Sequence, residues 1–246
     1  MRFISLFAGI GGIDLGFERA GMTCVAQVEK DPFALAVLEK HWPNVPKFED
    51  VHDVGKHNLP PTDVITGGFP CQPHSLAGKQ RGAEDDRNLW PEYRRIVEEI
   101  RPRWVIAENV PGIKFTILDE VLFDLENLNY TAWTLSIPAC AFGAPHIRQR
   151  IFVIAYNNSF RQKGKVGQTF EKIESQKEWS DFIRSNWWAV EPDVGRMVHG
   201  IPTKLDKRRL AALGNAVVPQ VAEYIARIVI QTDKILFPQE KGGDKN

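Results

Sequence analysis

One cysteine of this 246-residue chain lies between two prolines, directly after a short apolar run. The stretch reads GGFPCQPHS over Gly67–Ser75, with Pro70 and Pro73 on either side of Cys71. Proline fixes its own φ and removes one backbone donor, so both prolines stiffen the chain around the thiol. Three interpretations follow for Cys71: a nucleophile, a metal ligand or a small buried hydrophobic residue.

A carboxylate follows another apolar run. Glu108 comes directly after Trp104–Ala107, as the cysteine turn comes after Asp63–Thr66. Carboxyl ends of neighbouring parallel strands meet at one edge of a sheet, so we expect a thiol and a carboxylic acid there together. This pair suits addition of a thiolate to an electrophilic ring while an acid protonates its far side. The alternative for Glu108 is a structural carboxylate that binds turn amides.

A metal site is the weaker interpretation of the cysteine turn. Cys71 and His74 have the spacing of half a zinc site, but the sequence contains no second C-x-x-C or H-x-x-H half. We therefore expect no metal ion.

Glycines follow the first apolar run. The stretch FAGIGG includes Gly9 and Gly11, and Glu29 follows the next apolar run, where an acidic residue can accept hydrogen bonds from a ribose. Asp14 stands where a dinucleotide-binding G-x-G-x-x-G motif would have its third glycine. A nucleoside without a pyrophosphate fits this pattern better, although a plain tight turn would also explain it.

The elements that position these residues alternate along the chain. Apolar runs predict five strands, at Phe3–Phe7, Thr23–Val28, Asp63–Thr66, Trp104–Ala107 and Ile151–Ala155. Helical spacing of apolar residues predicts helices from Leu89 to Ile100, from Ile117 to Leu128 and from Val221 to Val229. The first of these has a start signal at Asp85–Asp86. The alternation predicts an α/β fold with a doubly wound, mostly parallel sheet.

Three segments divide the chain. Residues 1–156 form the predicted catalytic and cofactor-binding domain, 157–200 a polar, tryptophan-bearing insertion, and 201–246 a return to the main domain. Residues 1–146 carry 14 Lys and Arg against 20 Asp and Glu, whereas residues 147–246 carry 17 against 11. The basic second part favours an acidic partner, and chance is the alternative.

Composition indicates the cellular compartment in which the protein works. Its three cysteines are too few and too scattered for a disulfide framework, which favours a reducing compartment. The first residues lack the pattern of a signal peptide, and no apolar run is long enough to span a bilayer. These features predict a cytoplasmic protein.

Five stretches together resemble the motifs of bacterial and phage C5-cytosine-specific DNA methyltransferases. They occur in that family's order and cover nearly the whole chain: SLFAGIGGIDLGFERAG (5–21), GGFPCQPHSLAGKQRG (67–82), AENVPG (107–112), HIRQRIFVIA (146–155) and LGNAVVP (213–219). The resemblance implies a Rossmann-like, S-adenosylmethionine-dependent methyltransferase fold with a short inserted target-recognition segment. It also implies methyl transfer to C5 of cytosine in double-stranded DNA.

The resemblance assigns catalytic roles to four residues. Cys71 would attack C6 of the base, and Glu108 in its acid form would bind or protonate N3. Arg148 and Arg150 would bind the base's O2 and hold the loop, although an ordinary salt-bridged pair is the alternative.

It also assigns binding roles. The implied S-adenosylmethionine contacts are Phe7, Gly9, Gly11, Glu29, Asp50 and Asn215, and the implied substrate contacts are Gln72, Ser75 and Asn109. Phe7 could equally be a core residue.

The target base must leave the duplex to reach Cys71, so residues 71–87 are expected to close over a flipped cytosine. Residues 157–200 stand in the family's target-recognition position but are short. A basic cluster within them, Arg161, Lys163 and Lys165, is predicted to meet DNA phosphates. A solvated loop is the alternative. His74 and His146 replace residues more common in the family.

Such enzymes imply a role in restriction-modification or in protection of phage or host DNA, with a cognate restriction endonuclease as a further partner. A tRNA cytosine-5 methyltransferase and a non-catalytic DNA-binding relative are the alternatives. A nucleotide-dependent oxidoreductase is disfavoured by the missing third glycine.

Overall fold

A seven-stranded, mostly parallel sheet organises the computed structural model, which describes residues 1–70, 88–160 and 212–238. The strand order is β3-β2-β1-β4-β5-β7-β6. All neighbouring pairs from β3 to β5 are parallel, whereas β7 is antiparallel to both β5 and β6. The strands are β1 Arg2–Leu6, β2 Thr23–Val28, β3 Lys47–Phe48, β4 Val64–Gly67, β5 Trp104–Asn109, β6 Tyr130–Pro138 and β7 Gln149–Asn157.

Helices cover both faces of this sheet. Side chains of α3 and α4 pack on one face in a core with Ile4, Leu6 and Val105. Side chains of α1 and α5 pack on the other face in a core with Phe3, Trp104 and Phe152. The helices are α1 Gly12–Arg19, α2 Pro32–His41, α3 Trp90–Ile100, α4 Leu118–Asn127 and α5 Pro219–Leu236.

The predicted doubly wound sheet is confirmed, and all five predicted strands exist within two residues at each end. The expected helix start at Asp85–Asp86 lies outside the described residues, and α3 begins at Trp90. Sequence periodicity did not predict four elements: β3, β6, α1 and α2. β3 has only two residues, and β6 is an edge strand whose side chains are largely half-buried or exposed, so neither has the apolar run of a central strand.

Close backbone packing joins α1 to the beginning of α5. A Cβ atom on Gly12 would lie 2.4 Å from the carbonyl oxygen of Val217, and one on Gly16 would lie 2.4 Å from that of Pro219. Only glycine permits this approach. The contact places the loop before α5 beside the turn that connects β1 to α1.

No helix among the residues described is long and apolar enough to cross a membrane. The division at residues 157–200 stays a prediction, because 161–211 lie outside the described ranges.

Candidate active site

Glu108 places a buried carboxyl group at the carboxyl edge of β5. Its exposed fraction is 6%, and Arg150 Nε lies 2.8 Å from its Oε1. The contact is an ion pair without hydrogen-bond alignment, since Oε1 has no hydrogen-bond partner among the described residues. Burial raises the pKa of Glu108 to about 7, and the positive charges of Arg150 and Arg148 only partly oppose this shift. The group can therefore hold a proton near neutral pH.

Gly68 forms the surface beneath this carboxyl group. A Cβ atom added at Gly68 would lie 2.6 Å from Glu108 Oε2, so even a methyl group would displace the carboxylate. Sequence reasoning did not assign this role to Gly68. The pair Gly67 and Gly68 before the cysteine turn was the available signal in the sequence. It does not point to Glu108, the residue that Gly68 contacts, which is 40 positions further along the chain.

Asn109 connects this carboxylate to the segment that leads into Cys71. Its Nδ2 donates to the carbonyl oxygen of Phe69 at 2.9 Å, and its Oδ1 accepts from the amide of Val110 at 2.9 Å. Both polar ends of the buried amide therefore bind backbone. Its substrate contact stays a prediction, and its observed contacts hold the base of the cysteine turn.

The ring of Phe69 fixes the same segment from the other side. It packs against Trp90 and Tyr93 of α3 at centroid distances of 5.3 and 6.0 Å.

Three predicted site residues, Cys71, Gln72 and Ser75, lie outside the described residues.

The two predicted arginines enter the site from the beginning of β7. Because β7 is antiparallel to β5, its first residues lie at the edge where β5 ends. Arg150 reaches Glu108, whereas Arg148 Nη2 lies among the backbone carbonyls of Leu213, Gly214 and Ala216. The two side chains therefore bind different partners, and the base contact of Arg148 stays a prediction.

The glycine turn after β1 meets Glu29 at the same edge. Gly9 N donates to Glu29 Oε2 at 2.7 Å, and Asp31 N donates to Oε1 at 2.7 Å. Gly9 has φ +56°, and a Cβ atom built on it would meet no atom of the described residues within 4 Å. The space beside Gly9 is therefore open to a ligand. Gly11 has a different constraint, because its Cβ would collide with the ring of Trp42 at 2.4 Å.

Phe7 borders this space. It has φ +53°, in the left-handed region that side chains rarely adopt, and its ring stacks on Tyr93 with a centroid distance of 6.5 Å. A strained residue at a strand end is a frequent feature of ligand sites. The Phe7 ring is only partly buried, so it retains a surface for another planar group.

Asp50 has its carboxylate held by local donors. The amide of His52 donates to Oδ1 at 3.0 Å, the imidazole Nδ1 of His52 lies 2.6 Å from the same oxygen, and Lys30 Nζ donates to Oδ2 at 3.0 Å. These hydrogen bonds, led by that of the His52 amide, hold the pKa of Asp50 below its ordinary range. Asp50 is therefore an ionised acceptor at neutral pH.

The strand order and a carboxyl-edge site beside a glycine turn define a Rossmann-like fold of the S-adenosylmethionine-dependent methyltransferase class. The model of the C-5 cytosine-specific DNA methylase family matches residues 1–197. The chain belongs to that family.

Curated relatives agree with this assignment. The chain is 36% identical over 163 residues to the type II methyltransferase M.HhaI of Haemophilus parahaemolyticus, covering 64% of this chain and 50% of the relative. It is 33% identical over 202 residues to M.NgoBI of Neisseria gonorrhoeae, covering 74% and 62%. The chain thus spans about half the length of the curated relatives it matches.

Solved structures share the fold. A prophage-encoded protein of E. coli, described as a DNA modification methyltransferase, is 31% identical with a TM-score of 0.57, covering 67% of this chain and 49% of that one. The Dnmt2 methyltransferase of S. pombe is 19% identical with a TM-score of 0.56, covering 74% and 58%. The second likeness concerns the fold alone.

Proposed function

We propose that this protein is a DNA (cytosine-5-)-methyltransferase that acts on a cytosine flipped out of double-stranded DNA. The observation that carries the proposal is the buried Glu108 carboxyl group, whose pKa near 7 lets it act as an acid. It lies beside Arg150 and is joined through Asn109 to the segment that leads into Cys71.

In the proposed mechanism, Cys71 and Glu108 activate the ring together. The Cys71 thiolate forms an S–C6 bond while Glu108 donates a hydrogen bond or its proton to N3, which neutralises the charge developing on the ring. Electron density then rises at C5. Once C5 carries the methyl group that S-adenosylmethionine would supply, loss of the C5 proton to a base and breakage of the S–C6 bond would release Cys71. Return of the N3 proton to Glu108 would then restore the neutral aromatic ring.

Arg150 has two functions in this proposal. Its guanidinium orients the Glu108 carboxyl group and leaves donors available for the O2 atom of the base. Because it also favours the ionised form of Glu108, it limits the rise in that pKa. The acid therefore remains able both to hold and to release a proton near pH 7.

The open space beside Gly9 fits the nucleoside part of S-adenosylmethionine, which when bound supplies an electrophilic methyl group. Glu29 would accept from the ribose hydroxyls, since each of its oxygens uses only one backbone donor. Phe7 would contact the adenine ring, and Asp50 would accept from its amino group after displacing the exposed Lys30 ammonium. Gly11 and Asn215 would complete this side of the pocket.

The proposed partner is double-stranded DNA, as for the type II methyltransferases that the chain resembles, in a cytoplasmic restriction-modification or DNA-protection setting. A cognate restriction endonuclease belongs to the same proposal. The predicted phosphate contacts of Arg161, Lys163 and Lys165 lie outside the described residues.

Transfer of a labelled methyl group to duplex DNA or to tRNA tests this function. We expect wild type to label DNA, and Cys71→Ser to label neither substrate while retaining S-adenosylmethionine binding. Cys140→Ser, which changes an exposed free cysteine, is the matched control and should remain active.

A 5-fluorocytosine target should trap wild type as a denaturant-stable adduct and should fail to trap Cys71→Ser. Turnover of DNA by Cys71→Ser would contradict the covalent mechanism. Labelling of tRNA alone would replace the DNA assignment with the tRNA alternative.

A further inference from the structure

Arg148 makes an unusual set of contacts for a residue at the mouth of a catalytic site. Its Nη2 lies 3.1 Å from the carbonyl oxygen of Leu213 and 2.6 Å from that of Ala216, and it also donates to the carbonyl of Gly214. A helical turn ends here, since Ala216 N donates to Ala212 O at 3.0 Å. Such terminal carbonyls have no partner within the helix and carry partial negative charge, so a guanidinium stabilises them.

The backbone of Arg148 is strained to allow these contacts. Its φ is +32°, a left-handed value that is unfavourable for a non-glycine residue and persists only where the surroundings enforce it. The neighbouring Ile147 carbonyl accepts from Ala139 N at 2.7 Å, which fixes the chain just before Arg148. The side chain is thus directed at the loop rather than left free to follow a substrate.

The same loop is held on its other side by α1. The Val217 carbonyl oxygen lies 2.4 Å from where a Cβ atom of Gly12 would be, so the backbone of this loop rests directly on the first residue of the helix. Gly12 in turn follows the Gly9–Gly11 turn. A continuous set of backbone contacts therefore leads from Arg148, through residues 213–217, to the proposed cofactor side of the site.

We propose that Arg148 is a positioning residue for cofactor binding. It holds the loop that carries Asn215 against α1, whereas Arg150 is the arginine that pairs with the acid and, in the proposed mechanism, binds the target base. This inference rests on the proposed function, because it divides the roles of the two arginines within that reaction.

Paired substitutions separate the two roles. Arg148→Met should weaken binding of S-adenosylhomocysteine about tenfold, equivalent to about 1.4 kcal/mol, whereas kcat at saturating S-adenosylmethionine should change by less than that factor. Arg148→Lys should recover part of the affinity, because an ammonium can also donate to carbonyls. Arg150→Met should show the opposite pattern, with cofactor affinity retained and kcat reduced. Arg2→Met, at the opposite edge of the sheet, is the matched control.

Calorimetry with S-adenosylhomocysteine and steady-state methylation of duplex DNA provide the two readouts. The inference is overturned if Arg148→Met loses kcat with unchanged cofactor affinity, or if it leaves both quantities unchanged. Thermal melting identifies a variant that fails to fold. If Arg148→Met fails to fold, cofactor affinity and kcat are compared in Arg148→Lys instead, and the same two outcomes would overturn the inference. A wild-type protein that binds no S-adenosylhomocysteine and methylates no DNA would instead overturn the proposed function itself.

Discussion

Individual residues at the carboxyl edge have properties that follow from their burial rather than from their type. A glutamate in water is ionised at neutral pH, but Glu108 loses nearly all of its hydration, and burial raises its pKa to about 7. The sequence predicted the position of Glu108, because the strand before it is an uninterrupted apolar run. It could not predict the opposed effects of burial and of Arg150, which depend on contacts across 42 positions of the chain.

The raised pKa predicts a pH dependence of the reaction. The acid form of Glu108 predominates below about pH 7, so kcat/KM should fall as the pH rises through that value. Glu108→Gln can donate a hydrogen bond but not a proton. We expect it to lower the rate by about 10²–10⁴-fold and to remove this alkaline fall.

Initial rates at subsaturating duplex DNA between pH 5.5 and 9 measure this kcat/KM, with Glu120→Gln on the exposed surface of α4 as control. An alkaline fall that persists in Glu108→Gln would mean that another group titrates.

At the scale of an element, α1 is held by a buried carboxylic acid. Asp14 in its first turn accepts from Ser5 Oγ of β1 at 2.9 Å and from Gln27 Nε2 of β2 at 2.8 Å. This polar residue and two glycines explain why α1 was not predicted. Asp14 interrupts the apolar spacing towards the sheet, and Gly12 and Gly16 interrupt it towards the beginning of α5. The missing third glycine of the dinucleotide motif is therefore the residue that joins the helix to two strands.

Burial also raises the pKa of Asp14 above its ordinary range. Its neutral form favours folding, so this contribution is fully present below the unfolded pKa of about 3.9 and is lost as the pH rises through the higher native value. Asp14→Asn removes the ionisation and should therefore gain stability relative to wild type with rising pH.

Asp14→Ala should lose about 1–3 kcal/mol at pH 5, because Ser5 and Gln27 lose their acceptor. This loss should be smaller at pH 8, because the alanine variant also lacks the ionisation that destabilises wild type. Urea unfolding at pH 5 and pH 8 measures both variants, with the exposed Asp119→Asn in the first turn of α4 as control. A constant difference between Asp14→Asn and wild type at the two pH values would contradict the assignment.

Across the whole molecule, the first and last motifs form one structure. Phe3 of β1 shares a core with Val221 and Ile225 of α5, so the C-terminal helix packs beside the first strand. The close backbone contact through Gly12 and Gly16 was not predictable, because the sequence does not show which residue a helical glycine packs against. At the opposite edge, Asp233 of α5 accepts from Arg103 Nη1 and from Trp104 Nε1, both at 2.8 Å, which anchors the far end of the helix.

Gly16→Ala tests the crossing of α1 and α5. Helix propensity alone would make this change stabilising by about 1 kcal/mol. The new methyl group would instead lie 2.4 Å from Pro219 O and 2.6 Å from the Cβ of Ala222, so we expect a net loss of about 1–3 kcal/mol. Chemical denaturation measures the change, and Glu18→Ala on the exposed face of α1 is the control. A more stable Gly16→Ala protein would show that the two helices can separate without loss.

The contact between Gly68 and Glu108 links the histories of two positions 40 residues apart. As long as position 108 holds a glutamate in this rotamer, a side chain at position 68 would collide with its carboxylate. The glutamate, and not the strand, therefore limits which residues position 68 can hold. If the glutamate is lost, this collision disappears, and alanine or serine becomes acceptable at position 68. Among descendants of this protein, a side chain at position 68 would therefore mark a lineage whose glutamate has already moved or disappeared.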